Sequence, residues 1–142
     1  MPKGAPKIKG LTQDIKIPLV IELEDAEPIE FTAHYKQLKR NETSAIFREE
    51  RKRAKEVRKL EKELLEADDD ESIDIQEKIE NLQIESQKSA MSRITGWSDF
   101  YDDDGNEFEF NKKNLDYISQ SVPIFQALDQ GQYKATGAKL KN

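Results

Sequence analysis

A chain of 142 residues has room for one domain with an appendage, but 35% of its residues are apolar and 37% are charged, too thin an apolar supply for one compact core throughout. The net charge is −6 and there is no cysteine, which sets aside disulfide scaffolds and thiolate chemistry and argues against phosphate-backbone binding as the main activity. No apolar run approaches the ~20 residues of a membrane span and no N-terminal stretch has the layout of a secretory leader, so no membrane partner is expected and a reducing cytoplasm fits.

Residues 1–14 carry Pro2, Pro6, Gly4, Gly10 and several lysines with no apolar period, the composition of a flexible arm. From Ile15 the reading changes. Ile17, Leu19, Ile21 and Leu23 alternate with polar residues apart from Pro18 and Val20, and Ile29, Phe31, Ala33 and Tyr35 share one face of a second run. Asp25 to Pro28 lies between them as a turn, so Ile15 to Tyr35 reads as an N-terminal β-hairpin. Pro18 belongs at an edge or a start, since it cannot donate to a ladder. His34, the only histidine, falls on the polar face. With no cysteine beside it and no nucleophile at fixed spacing it is a poor metal ligand or catalytic base.

Asn41 can cap a helix running to about Ala67, with a narrow apolar stripe of Ile46, Phe47, Ala54, Val57, Leu60 and Leu64. Arg48, Arg51, Lys52, Arg53, Lys55, Arg58 and Lys59 form a basic cluster that acids of the same helix nearly balance. That balance describes a solvated helix rather than a nucleic-acid stripe. Ala67 to Glu71 breaks the pattern with three aspartates, acids suited to a helix N-terminus, and a second helix follows from about Ser72 to Arg93 with Ile75, Ile79 and Leu82 on one face. Two long helices on a short connection imply an antiparallel helical hairpin over 41–93, expected to project from a single domain spanning 15–142. Its apolar stripe is too sparse to predict sustained heptads.

Gly96 to Leu115 carries the only tryptophan, Trp97, with Phe100, Tyr101, Phe108 and Phe110. Asp104-Gly105 between alternating apolar flanks predicts a primed-turn hairpin. Asn111 then caps a helix from Lys112. Trp97 is expected to anchor the core between the N-terminal hairpin and the C-terminal helices. The aspartates before Gly105 do not make a calcium loop: with Gly105 at the sixth position, Phe100 and Asn111 fall where an EF-hand needs Asp and Glu. A last helix is expected from Ser121, with Pro123 in its first turn. Gly131 loosens or ends it, and residues 132–142 read as a tail.

The fold class expected is therefore α+β: an N-terminal β-hairpin and a small central hairpin packed with C-terminal helices, plus the long charged helical hairpin. No phosphate loop, metal-ligand spacing or nucleophile constellation is visible, so neither an enzyme nor a cofactor is expected. The apolar residues of the two short C-terminal helices exceed what their packing on a small sheet requires. Tyr117, Ile118, Ile124, Phe125 and Leu128 are accordingly the candidate partner-binding residues.

Taken together, Gly96-Trp97, Asp104-Gly105, Phe110, Asn114-Leu115, Phe125, Thr136-Gly137-Ala138-Lys139 and Lys141-Asn142 resemble, in order and spacing, the tail assembly chaperones of long-tailed (siphovirus-type) bacteriophages. The resemblance covers most of the chain beyond the first dozen residues, and it departs over Asn41 to Arg93, where the family's helical region is usually shorter. It implies a non-catalytic factor that binds and solubilises the tape measure protein, helps recruit tail tube subunits, acts in the host cytoplasm and is absent from the mature virion. It implies no nucleic acid and admits a homo-oligomer. A coiled-coil adaptor or scaffold accounts for the helical middle equally well.

Overall fold

The computed structural model describes residues 13–138. It is an α+β protein with a three-stranded antiparallel sheet and four helices, and it divides into two compact units. One is the helical stretch Leu38–Ala90; the other is built from the chain on both sides of it. Most of the arm expected over 1–14 lies outside the described residues. Within it, Asp14 accepts a hydrogen bond from the Thr95 hydroxyl at 2.8 Å.

In the first unit, β1 (Ile15–Ile21) and β2 (Ile29–Tyr35) form the expected hairpin, with Ile17 opposite Ala33 and Leu19 opposite Phe31. Asp25 takes a left-handed φ of 59° in the turn. A third strand, β3 (Ile94–Ser98), pairs with the other side of β2, giving the order β1-β2-β3. The register slips between His34 and Tyr35, which face Gly96 and Ile94 and leave Thr95 unpaired. An extra residue in one strand reverses the alternation beyond it. Ile94 and Trp97, three apart, therefore both turn to the covered face and are both buried.

That face has two covers. Helix α4 (Val122–Ala138) packs on β1 and β2, with the short α3 (Lys112–Ser119) beside it. Over β2 and β3 lies an aromatic cluster. Phe31 stacks on Phe100 with ring centroids 4.2 Å apart, and Trp97 packs against Phe31, Phe100, Phe108 and Phe110 at 4.8–6.1 Å. The Trp97 indole N–H donates to the Phe108 carbonyl at 2.6 Å. Trp97 is thus buried, but its ring partners come from the sheet and the central hairpin rather than from the C-terminal helices. Ser98 and Phe100 flank Asp99, which adopts a left-handed φ of 59° and turns Phe100 back toward the tryptophan.

The central hairpin is shorter and of another type than expected. Tyr101 and Glu107 make a single bridge, Phe108 N donates to Phe100 O, and Asp102 N donates to Asn106 O. Gly105 N donates to Asp102 O, and of the turn residues Asp102 to Gly105 only Gly105 has positive φ, at 79°. This is a type I turn closed by a left-handed glycine, not a primed two-residue turn. The Asp102 carboxylate accepts from the N–H groups of Asp104 and Asn106. That Asx arrangement explains an aspartate there without any ligand.

The tail expected over 132–142 is corrected: α4 continues to Ala138, and Ala135 is buried. Ile124, Leu128, Gly131 and Ala135 form one row along this helix at three- and four-residue spacing, all buried. The glycine is inside the helix because Tyr35 needs the space. The Tyr35 hydroxyl donates to the Leu128 carbonyl at 2.7 Å, and a Cβ on Gly131 would overlap that hydroxyl oxygen.

The second unit is the antiparallel pair α1 (Arg40–Glu66) and α2 (Asp69–Met91), joined by Ala67 and Asp68. The start of α1 is not capped by Asn41, which lies within the helix; Glu42 reaches back to accept from Lys39 N at 3.1 Å. Asp68 caps α2, its carboxylate accepting from Glu71 N at 2.8 Å. From Ile46 onward the partly and fully covered positions of α1 are Ile46, Glu50, Arg53, Val57, Leu60 and Leu64, and up to Ser86 those of α2 are Ser72, Ile75, Ile79, Leu82 and Ser86. Their alternating three- and four-residue spacing is a heptad seam, which the apolar residues alone did not reveal. Polar side chains fill the missing layer: Arg53 donates to Ser86 and pairs with Glu50, and Ser86 donates to Glu50. A seam layer of this kind is stable only because its members satisfy one another.

Candidate partner-binding face

Helices α3 and α4 start where local chemistry requires. The Asn111 side chain accepts from Asn114 N at 2.7 Å, and the Asn114 amide donates to Glu109 O at 2.7 Å, fastening the end of the aromatic hairpin to α3. Phe125 N donates to Ser121 O at the head of α4. Pro123 lies in that first turn, where an N–H has no intrahelical acceptor in any case.

The five candidate residues separate on burial. Ile118, Ile124 and Leu128 are core, Leu128 with no exposed surface at all. Phe125 is half-buried, and Tyr117 is 71% exposed. They do not make one binding face, because at helical spacing Leu115 and Ile118 on α3, and Ile124 and Leu128 on α4, turn to the protein interior. The apolar surplus is real but belongs to other positions. Val122 and Tyr133 are exposed, Tyr133 by 72%. They share the outward row of α4 with Gln126 and Asp129 at i, i+4, i+7 and i+11. Tyr133 was hidden from sequence reading because residues 132–142 read as a tail. The signal that finds it is the inner row Ile124, Leu128, Gly131 and Ala135.

On α3, Tyr117 lies in an open hollow lined also by Lys112, Lys113, Asp116 and Gln120. The C-terminal surface therefore presents two tyrosines and a valine among mixed charges. Tyrosine gives a large rigid contact with a hydroxyl that can stay wet or find a partner, which suits non-covalent docking of an amphipathic segment.

His34 and Tyr35 depart from ordinary behaviour, and neither lies at this surface. His34 lies on the uncovered face of the sheet, with Nε2 3.1 Å from Ser98 Oγ and its ring over Gly96. Partial burial, then Lys16, lower its pKa against an opposing effect of Asp14. The Tyr35 phenol is pushed well above its usual value by burial, and further by the Asp129 carboxylate. The folded state thus holds this proton more tightly than the unfolded chain. The stabilisation is complete below the unfolded value near 10 and is lost as pH rises above it. Denaturant melts at increasing pH should show wild type losing stability above about pH 10, and Tyr35→Phe should lose less over the same interval. Equal losses in the two proteins would assign the alkaline transition to other groups.

Among the described residues no group of three or more His, Asp or Glu side chains is placed to hold a metal ion, and no helix is long and apolar enough to cross a membrane. No family model matches the chain, and neither a curated protein nor a solved structure matches it.

Proposed function

We propose that this protein is a non-catalytic tail assembly chaperone of a long-tailed bacteriophage, which binds and solubilises the tape measure protein in the host cytoplasm and helps recruit tail tube subunits. The observation that carries the reading is the ordered block Gly96-Trp97, Asp104-Gly105, Phe110, Asn114-Leu115 with Thr136-Gly137-Ala138-Lys139. Its members from Trp97 to Leu115 are structurally linked. Trp97 and Phe110 pack together, Gly105 makes the turn, Asn114 ties the hairpin to α3, and Leu115 is buried. A surface with exposed tyrosines amid abundant charge is also what covering an apolar helix in water requires.

The partner face is revised accordingly to Tyr117, Val122, Tyr133 and the exposed part of Phe125. In co-expression with tape measure fragments, Tyr117→Ala with Tyr133→Ala should reduce the co-purified fragment about tenfold while leaving the thermal melt unchanged, as expected for contact residues. Leu128→Ala should instead lower stability by ~2–5 kcal/mol and lose binding only as a consequence. Full retention of the fragment by the double tyrosine variant removes this face. Failure of the wild-type protein to retain any fragment favours the alternative, a coiled-coil adaptor of another assembly, which the heptad seam of α1 and α2 supports.

A further inference from the structure

The inner seam of α1 leaves a second row of the same helix uncovered. Phe47, Arg51, Ala54, Arg58, Glu61 and Leu65 follow one another at intervals of four, three, four, three and four residues, the spacing of a coiled-coil seam. All six are exposed, Phe47 by 53% and Leu65 by 87%. Among the described residues neither arginine nor Glu61 has an ion-pair partner.

The row is self-complementary when read against its own reverse. A two-fold axis passing between Ala54 and Arg58 sets Phe47 opposite Leu65, Arg51 opposite Glu61, and Ala54 opposite Arg58. Each end gains an apolar pair, the next layer an ion pair, and at the centre a small residue makes room for a large one. A two-fold interface requires this reciprocity, since residue i must meet j while j meets i. A parallel arrangement would set Arg51 on Arg51 and Glu61 on Glu61. Lys55 borders the axis and would approach its own copy, but its long stem lets the ammonium turn to water. We propose that the exposed row of α1 is an antiparallel homodimer interface, and that its occupant is α1 of a second copy of this chain. The inference is independent of the function proposed above.

Sedimentation velocity over a concentration series tests it. Wild type should show a monomer–dimer equilibrium. Arg51→Glu should raise the dissociation constant at least tenfold, because like charges then meet in two symmetric layers. Glu61→Arg should do the same, and the double swap should restore association. Exposed positions are chosen so that circular dichroism stays unchanged. Register is tested separately. The chain has no cysteine, so Phe47→Cys and Leu65→Cys proteins, mixed and oxidised, should give a mixed disulfide in preference to either self-linked dimer. The two positions are ~27 Å apart along one helix, so no link within one chain can mimic it. A monomer at every concentration, or a dimer indifferent to the charge swaps, overturns the proposal. So does self-linking of the Phe47→Cys protein alone, which would report parallel packing.

Discussion

Gly131→Ala is expected to destabilise the fold by ~3 kcal/mol, at the upper end of the overpacking range, against every expectation from helix propensity. In an exposed helix interior the same change would gain roughly 1 kcal/mol. Here the new methyl would overlap the Tyr35 hydroxyl oxygen and lie 2.8 Å from the ring carbon that bears it. The ring cannot swing away cheaply, because Tyr35 is 2% exposed and its hydroxyl is tied to the Leu128 carbonyl. The helix would have to lift from β2 or the phenol would have to leave its acceptor. A urea midpoint for Gly131→Ala at or above that of wild type would show that the contact is slack. Adding Tyr35→Phe should recover part of the loss, since it removes the oxygen but not the ring carbon. A double-mutant cycle between the two positions should therefore show coupling of ~1 kcal/mol or more.

Trp97→Ala should cost ~3–5 kcal/mol, the usual range for removing a large aromatic from a core. The indole is the hub of the cluster: it touches four phenylalanine rings, and its N–H satisfies the Phe108 carbonyl. Its loss removes the contact that holds the central hairpin to β3, as well as buried area. The expected signature is local as well as global. Amide hydrogen exchange should accelerate at Asp102 and Phe108, whose N–H groups make the hairpin bonds, more than at β1. Trp97→Phe should keep most of the packing and lose the bond to Phe108. A midpoint for Trp97→Ala within error of wild type would mean that the phenylalanines alone suffice.

These two sites show where sequence reading stopped. The N-terminal hairpin was legible because both arms alternate with period two and meet at an Asp- and Pro-bearing turn. The start of α3 was legible because Asn111 serves backbone groups only three residues away. The heptad seam was half legible. Val57, Leu60, Leu64, Ile75, Ile79 and Leu82 could be seen, but Glu50, Arg53 and Ser86 look like surface residues until the two helices are set side by side. The binding face was half legible for the same reason. Apolar residues on α3 and α4 could be counted, but whether each faced the sheet or water depended on where α4 lay and how far it ran.

The sequence by itself determined the elements whose signals act over a few residues: strand alternation, the Asn111 cap of α3, the left-handed glycine of the central turn, and the charged composition of the two-helix unit. Tertiary structure alone decided that Ile94–Ser98 joins the sheet, that the slip at Thr95 brings Trp97 to the covered face, and that Gly131 is a helix interior rather than an end. The physical reason is range. The pairing of His34 with Gly96 and the bond from Tyr35 to Leu128 join residues 62 and 93 positions apart, and no local pattern encodes which distant surface will be there to receive a strand, a ring or a hydroxyl.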